Sequence, residues 1–180
     1  MILFFLYHGG RLCLSHGLNR YVYYYVICPD MTDHELKQLV YDFFFAFSRL
    51  EFALKAAGFR RRDRNDAAQP DWAAFIRKHQ GHYQLSNGDN KLLRSPPKRQ
   101  CLDRKNRLVW KDLVFESGDS SLKKVSLILR TIRNNLFHGG KYGHRSWDDP
   151  KRVTFLLQNG LESIDCLKET DSKVKRIFNM

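Results

Sequence analysis

Closely spaced cysteines are missing from this chain. Cys13, Cys28, Cys101 and Cys166 are scattered over 180 residues, with no C-x2-C pair. That argues against a disulfide framework and a zinc set, and reads as reduced thiols in a cytosolic protein. His79 and His82 form an H-x2-H, and five residues separate His138 from His144. Neither pair has a nearby carboxylate or cysteine set to complete a coordination shell, so no metal is expected. A G-x4-G-K-[ST] loop is absent, and Gly139-Gly140-Lys141 alone does not cradle a nucleotide. No cofactor is expected either. Long apolar runs are lacking: Ile2 to Tyr7 is too short to span a bilayer, and no positive n-region precedes it. The expected location is cytoplasmic, with no membrane partner.

Acid is also scarce. Nineteen Asp and Glu face 31 Lys and Arg, a formal charge of +12, and the pI is near 9.7. An anionic partner follows from that balance. The excess is concentrated. Arg60 to Lys111 holds fourteen Lys or Arg against five Asp, a balance of +9. Arg60, Arg61, Arg62 and Arg64 form one basic knot; Lys98, Arg99, Arg104, Lys105 and Arg107 form another. These residues and Lys141 are the candidate RNA contacts. Charge alone does not separate RNA from DNA or from an acidic protein. Hydrophobic residues make up 43% and aromatics 13%, enough for one domain with a full core.

Residues 1–30 differ from the rest, with an aromatic, β-prone run from Tyr21 to Ile27. A helix start follows at once: Thr32 with Glu35 three residues on, a capping-box pattern. The expectation is that translation begins at Met31 or that residues 1–30 are dispensable, leaving 31–180 as a single helical domain. The first long helix is predicted over Asp33 to Ala57, stopped by Gly58. Leu36, Val40, Phe43, Phe47, Leu50, Leu54 and Ala57 form a heptad-like seam. Tyr41, Phe45 and Phe52 lie opposite, so the helix should be buried on two sides, as a bundle centre or a dimer interface. Gly58 to Gln69 reads as a basic loop, Pro70 to His79 as a short helix with a packed His79, and Gly81 to Arg99 as loop around Asn87-Gly88 and Pro96-Pro97. Leu102 to Leu113 fits helix or extended chain equally. A last helix begins at Asp149-Pro150, an N-cap followed by proline. It turns Val153, Leu157, Leu161, Ile164 and Leu167 inward, with Gly160 marking close packing. The fold class is all-α, an up-and-down bundle carrying a long basic loop insertion.

Arg133-Asn134-Asn135-Leu136-Phe137-His138 closes another helical pattern that starts at Ser121. Leu122, Val125, Leu129, Ile132 and Leu136 make its apolar stripe, and Gly139 is a usual helix stop. On the wheel Arg133 sits on the shoulder of that stripe. His138 lies roughly opposite it, four residues after Asn134 and on the same face. Leu127 and Thr131 share that outer face, which suggests contact with a second subunit. A helix C-terminus favours protonated imidazole, and an unperturbed His titrates at about 6.5. Arg133 and His138 therefore suit phosphate binding and proton transfer, with Asn134 orienting the ring. A plain helix cap is the other use of such residues.

The stretch from Ile132 to Lys141 resembles the R-x(4–6)-H signature of the HEPN superfamily, whose Arg is often followed by a polar residue, here Asn134. Phe43 to Lys55 resembles the first long helix of its prokaryotic members. The likeness covers roughly Met31 to Lys168. It implies a helical bundle that dimerises and brings two motifs into one cleft. It also implies metal-independent endoribonuclease activity, with Arg133 on the phosphate, His138 in proton transfer, and attack by the ribose 2′-hydroxyl. Many such proteins are toxins or antiviral effectors beside an antitoxin. An acidic or nucleotidyltransferase-like partner would fit that role. An acid in the first helix sometimes assists; Glu51 is the candidate, with a surface salt bridge as its other reading. The rival function is a non-catalytic RNA- or nucleotide-binding HEPN-like module acting through protein interaction.

Overall fold

The structure is a computed structural model. It describes the backbone of residues 5–8, 11–14 and 23–24, and residues 31–137 and 149–180 in full. Two compact units result, Met1–Asp33 and His34–Met180. In the first, β1 (Phe5–His8), β2 (Arg11–Leu14) and β3 (Tyr23–Tyr24) form an antiparallel sheet in that order. Phe5 pairs with Leu14, and Cys13 with Tyr23.

The second unit is mostly helical. Its first helix, α1, spans Asp33–Ala57. Gly58 ends it at φ 108°, a left-handed conformation that glycine adopts without a Cβ clash. The Phe59 N–H then donates to the Leu54 carbonyl at 2.9 Å and the Gly58 N–H to Lys55 at 3.2 Å, closing the helix as a Schellman motif. Of the predicted seam, Leu36, Phe43, Phe47, Leu50 and Leu54 are buried, while Val40 and Ala57 are half-buried. The opposite side is not covered: Tyr41, Phe45 and Phe52 are 58%, 50% and 61% exposed.

The predicted basic loop after Gly58 is a β-hairpin, β4 (Arg60–Arg62) with β5 (Ala68–Pro70). The undecided stretch is a second one, β6 (Arg99–Leu102) with β7 (Leu108–Lys111). Between them lie α2 (Trp72–His79) and α3 (Asn87–Arg94). Helix α3 occupies the stretch expected to be loop. Ser86 caps it, accepting from the Asp89 N–H at 3.0 Å while Asp89 accepts from the Ser86 N–H at 2.8 Å. That reciprocal box outweighs the turn preference of Asn87-Gly88. Gly88 meets the last long helix so closely that a Cβ would lie 2.8 Å from the Asn159 carbonyl.

Helix α4 (Ser121–Phe137) carries the motif, α5 covers Pro150–Glu169, and α6 adds Ser172–Phe178. Asp149 caps α5, accepting from the Arg152 N–H at 2.9 Å. On α5, Val153, Leu157, Ile164 and Leu167 are buried; Leu161 is half-buried. The core lies where α1, α4 and α5 meet. Gly160 admits Phe43 there: a Cβ at 160 would lie 2.7 Å from Phe43 Cε2. Arg49 Nε donates to the Phe178 carbonyl at 3.0 Å, tying α1 to the end of α6. Among the described residues no helix is long and apolar enough to cross a membrane.

Candidate functional site

Arg133 lies just before the last turn of α4 and is half-buried, as its place on the shoulder of the stripe requires. Its Nη2 donates to Glu51 Oε1 of α1 at 3.3 Å. Its guanidinium lies over the Phe47 ring, 5.3 Å from the centroid. Trp72, at the start of α2, donates from Nε1 to the same Glu51 oxygen at 3.2 Å. Three side chains, two from α1 and one from α2, therefore hold the arginine head in one place. Arg133 Nε is buried with no acceptor among the described residues. Beside it is a pocket of about 150 Å³ lined by Val40, Phe43, Phe44, Arg133, Leu136 and Phe137. Phe44 and Phe137 face each other there, centroids 5.0 Å apart. An aromatic rim with a cation at its edge suits a base and its phosphate.

Asn134 is exposed, on the outer face expected for it. Leu127 is half-buried there. Thr131 departs from expectation: it is buried and donates from Oγ1 to the Leu127 carbonyl at 2.8 Å. That back-bond removes its polar group from the outer surface. His138, Lys141 and His144 lie outside the described residues, so the Arg133–His138 geometry is not described.

The two basic knots are the two hairpins, and both use the same turn. Asp63 Oδ1 accepts from the Asn65 and Ala67 N–H groups at 2.8 and 2.9 Å. Asp103 Oδ1 accepts from Lys105 and Arg107 at the same two distances. Asp66 and Asn106 occupy matching left-handed positions, φ 63° and 60°. These hydrogen bonds hold the Asp63 and Asp103 carboxyls below their ordinary range. The shared pattern D-R-x-[ND] displays Arg64 and Arg104 at equivalent exposed tip positions. Each tip is an ordered display of cations rather than a loose run.

Not all of these cations are free. Arg60 donates to the Lys55 carbonyl at 3.2 Å, Arg62 pairs with Asp66 at 3.1 Å, and Arg107 pairs with Asp103 at 2.7 Å. Lys98 is 3.7 Å from Asp112. The second hairpin is rooted on the motif helix by a residue that the sequence reading left unassigned. Buried Asn135 donates from Nδ2 to the Lys98 carbonyl at 2.8 Å. The first hairpin runs from Pro70 through Asp71 into Trp72, the residue bonded to Glu51. Lys98, Arg99 and the Arg60–Arg62 strand thus start close, in chain, to residues that hold α4.

His79 is a packed core histidine against Phe59 and Phe75. A carboxylate does reach it, contrary to expectation, from 92 residues away: Asp171 Oδ2 lies 3.1 Å from Nε2. Asp171 is the N-cap of α6 and also accepts from Lys78 Nζ at 2.9 Å. A carboxylate can only accept, so His79 Nε2 carries the proton and Nδ1 accepts from His82 Nε2 at 3.1 Å. Both ring nitrogens are therefore engaged. Burial pushes the His79 imidazole below its ordinary 6.5; Asp171 pulls it up, and Lys78 adds to the downward push. A histidine kept neutral by the fold binds fewer protons than the unfolded chain once pH falls below 6.5. The sign makes stability fall as pH drops through that window. Burial raises the Asp171 carboxyl, but Lys78 and the Val174 and Lys173 N–H groups outweigh it, and its net shift is downward from 3.8. Its contribution is lost only in stronger acid. Urea midpoints are therefore expected to fall from about pH 7 to pH 5, and His79→Asn should flatten that slope. An equal slope in both proteins contradicts the assignment.

Comparison with known protein families, curated proteins and solved structures returns no match.

Proposed function

We propose that this chain is a metal-independent endoribonuclease with a HEPN-like bundle, acting as a homodimer in a toxin or defence role. The observation that carries the reading is Arg133, braced by Glu51, Phe47 and Trp72 near the end of a helix that follows two cationic hairpins in the chain. A fixed cation beside a developing phosphorane needs no reorganisation during reaction. The 2′-hydroxyl attacks phosphorus as its proton passes to a base, and the bond to the 5′-oxygen breaks as that oxygen gains a proton. His138 fills one of these roles and the partner subunit's His138 the other. The products are a 2′,3′-cyclic phosphate and a 5′-hydroxyl. Incubating the protein with total RNA in chelator, beside His138→Ala, tests this: cleavage by the first and not the second supports it, and the reverse refutes it.

The second subunit would sit on the uncovered side of α1. Phe45→Asp with Phe52→Asp is expected to convert a dimer to a monomer in light scattering. A wild-type monomer at micromolar concentration, or a dimer unaffected by both changes, rules this out.

One contact favours the rival, a non-catalytic RNA- or nucleotide-binding module: Glu51 already occupies part of the Arg133 fork. RNA binding without cleavage in the same assay would select it.

A further inference from the structure

Arg130 stands one turn before Arg133, so the two share a face of α4. It is exposed and has no hydrogen bond or salt bridge among the described residues. Arg61 is its counterpart on the first hairpin: it pairs with Gln69, three residues before Trp72, which shares the Glu51 oxygen with Arg133. Strand alternation turns Arg61 away from Arg60 and Arg62, the two arginines already bonded to Lys55 and Asp66. Desolvation, then the charges of Arg133 and Arg61, push the Arg130 guanidinium below its ordinary range, and Glu51 alone opposes them. Asp63 also feels Arg61, so three cations face two carboxylates and one positive charge is left over; Arg61 and Arg130 have no side-chain hydrogen bond or salt bridge among the described residues. Like charges gathered this way repel in the free protein. An anion bridging them would relieve that repulsion.

We propose that Arg61, Arg130 and Arg133 form a phosphate-binding track for single-stranded RNA, in which Arg130 and Arg61 take phosphates adjacent to the one at Arg133. The proposal rests on the ribonuclease reading for the identity of the polyanion. Spacing supports it. Residues three apart on a helix have Cβ atoms about 5–6 Å apart, on the scale of the distance between neighbouring phosphates. Guanidinium forks match phosphate oxygens in geometry as well as charge. Glu51 keeps Arg133 in place while the track is empty.

The test uses a mixed-sequence 2′-O-methyl RNA 20-mer, which 2′-hydroxyl attack cannot cleave. Its binding is titrated with salt for the full chain, Arg61→Gln, Arg130→Gln and the double variant. Each phosphate contact on a single strand contributes about 0.7 to the slope of log affinity against log salt. Each single variant should therefore lower the slope by about 0.7 and the double by about 1.4. Arg130→Lys should keep the wild-type slope, separating lost charge from lost structure. Unchanged slopes in variants that melt like wild type overturn the track, as does absence of binding by the wild type. Because the probe is inert, the readings separate. Reduced slopes with ordinary RNA left intact would keep the track and refute the ribonuclease. Normal cleavage with unchanged slopes would do the opposite.

Discussion

Arg133→Ala is expected to slow RNA cleavage by about 10²–10³-fold, the cost of one preorganised charge-stabilising donor. His138→Ala should cost about 10²–10⁴-fold, the range for a positioned acid or base. Both variants should still bind RNA, because the hairpins supply most of the cations. They should also remain folded. The Arg133–Glu51 pair is partly exposed at both ends, and such pairs contribute little to stability. Arg133→Lys is the sharper probe. It keeps the charge but loses the planar fork, so an intermediate rate marks a phosphate clamp. Single-turnover rates with saturating RNA read the chemical step directly. Full activity in Arg133→Ala would remove the arginine from the mechanism.

Phe43→Ala is expected to destabilise the helical unit by roughly 3–5 kcal/mol, the range for deleting a buried aromatic. Phe43 is fully buried on α1 and its ring edge rests on Gly160 of α5. Gly160→Ala tests the same contact from the other side. An added methyl improves helix propensity by about 0.5–1 kcal/mol, but overpacking costs about 1–3 kcal/mol. The 2.7 Å approach to the fully buried Phe43 ring makes the second effect larger. In a Phe43→Leu background the Gly160→Ala cost should shrink, because the two sites share one contact. Additive urea midpoints across that cycle would contradict the packing described.

The long helices were legible because their ends carry chemistry as well as periodicity. Gly58 stops α1, and Asp149-Pro150 opens α5 where expected. Gly160 was legible as a close approach between helices. The hairpins were not legible, since strands of three or four residues give almost no alternation to read and β4 is all arginine. Their signal was in the turns: Asp63 and Asp103 begin the same D-R-x-[ND] pattern. Helix α3 was hidden by Asn87-Gly88, although Ser86 and Asp89 spell its capping box. Pairings over long separations, such as Glu51 with Arg133 or His79 with Asp171, are set by tertiary packing, and local sequence does not encode them. Arg130 carries no local signal, because it lies outside both the motif and the charge runs.

The most direct measurement is the chemistry of the cut ends. RNA digested by the wild-type protein in chelator, analysed by mass spectrometry, should carry 2′,3′-cyclic phosphates and 5′-hydroxyls. The same ends should be absent after treatment with His138→Ala, and 2′-O-methyl RNA should stay intact. Cuts bearing 5′-phosphates, cleavage of DNA, or cyclic-phosphate products persisting in His138→Ala would contradict the account.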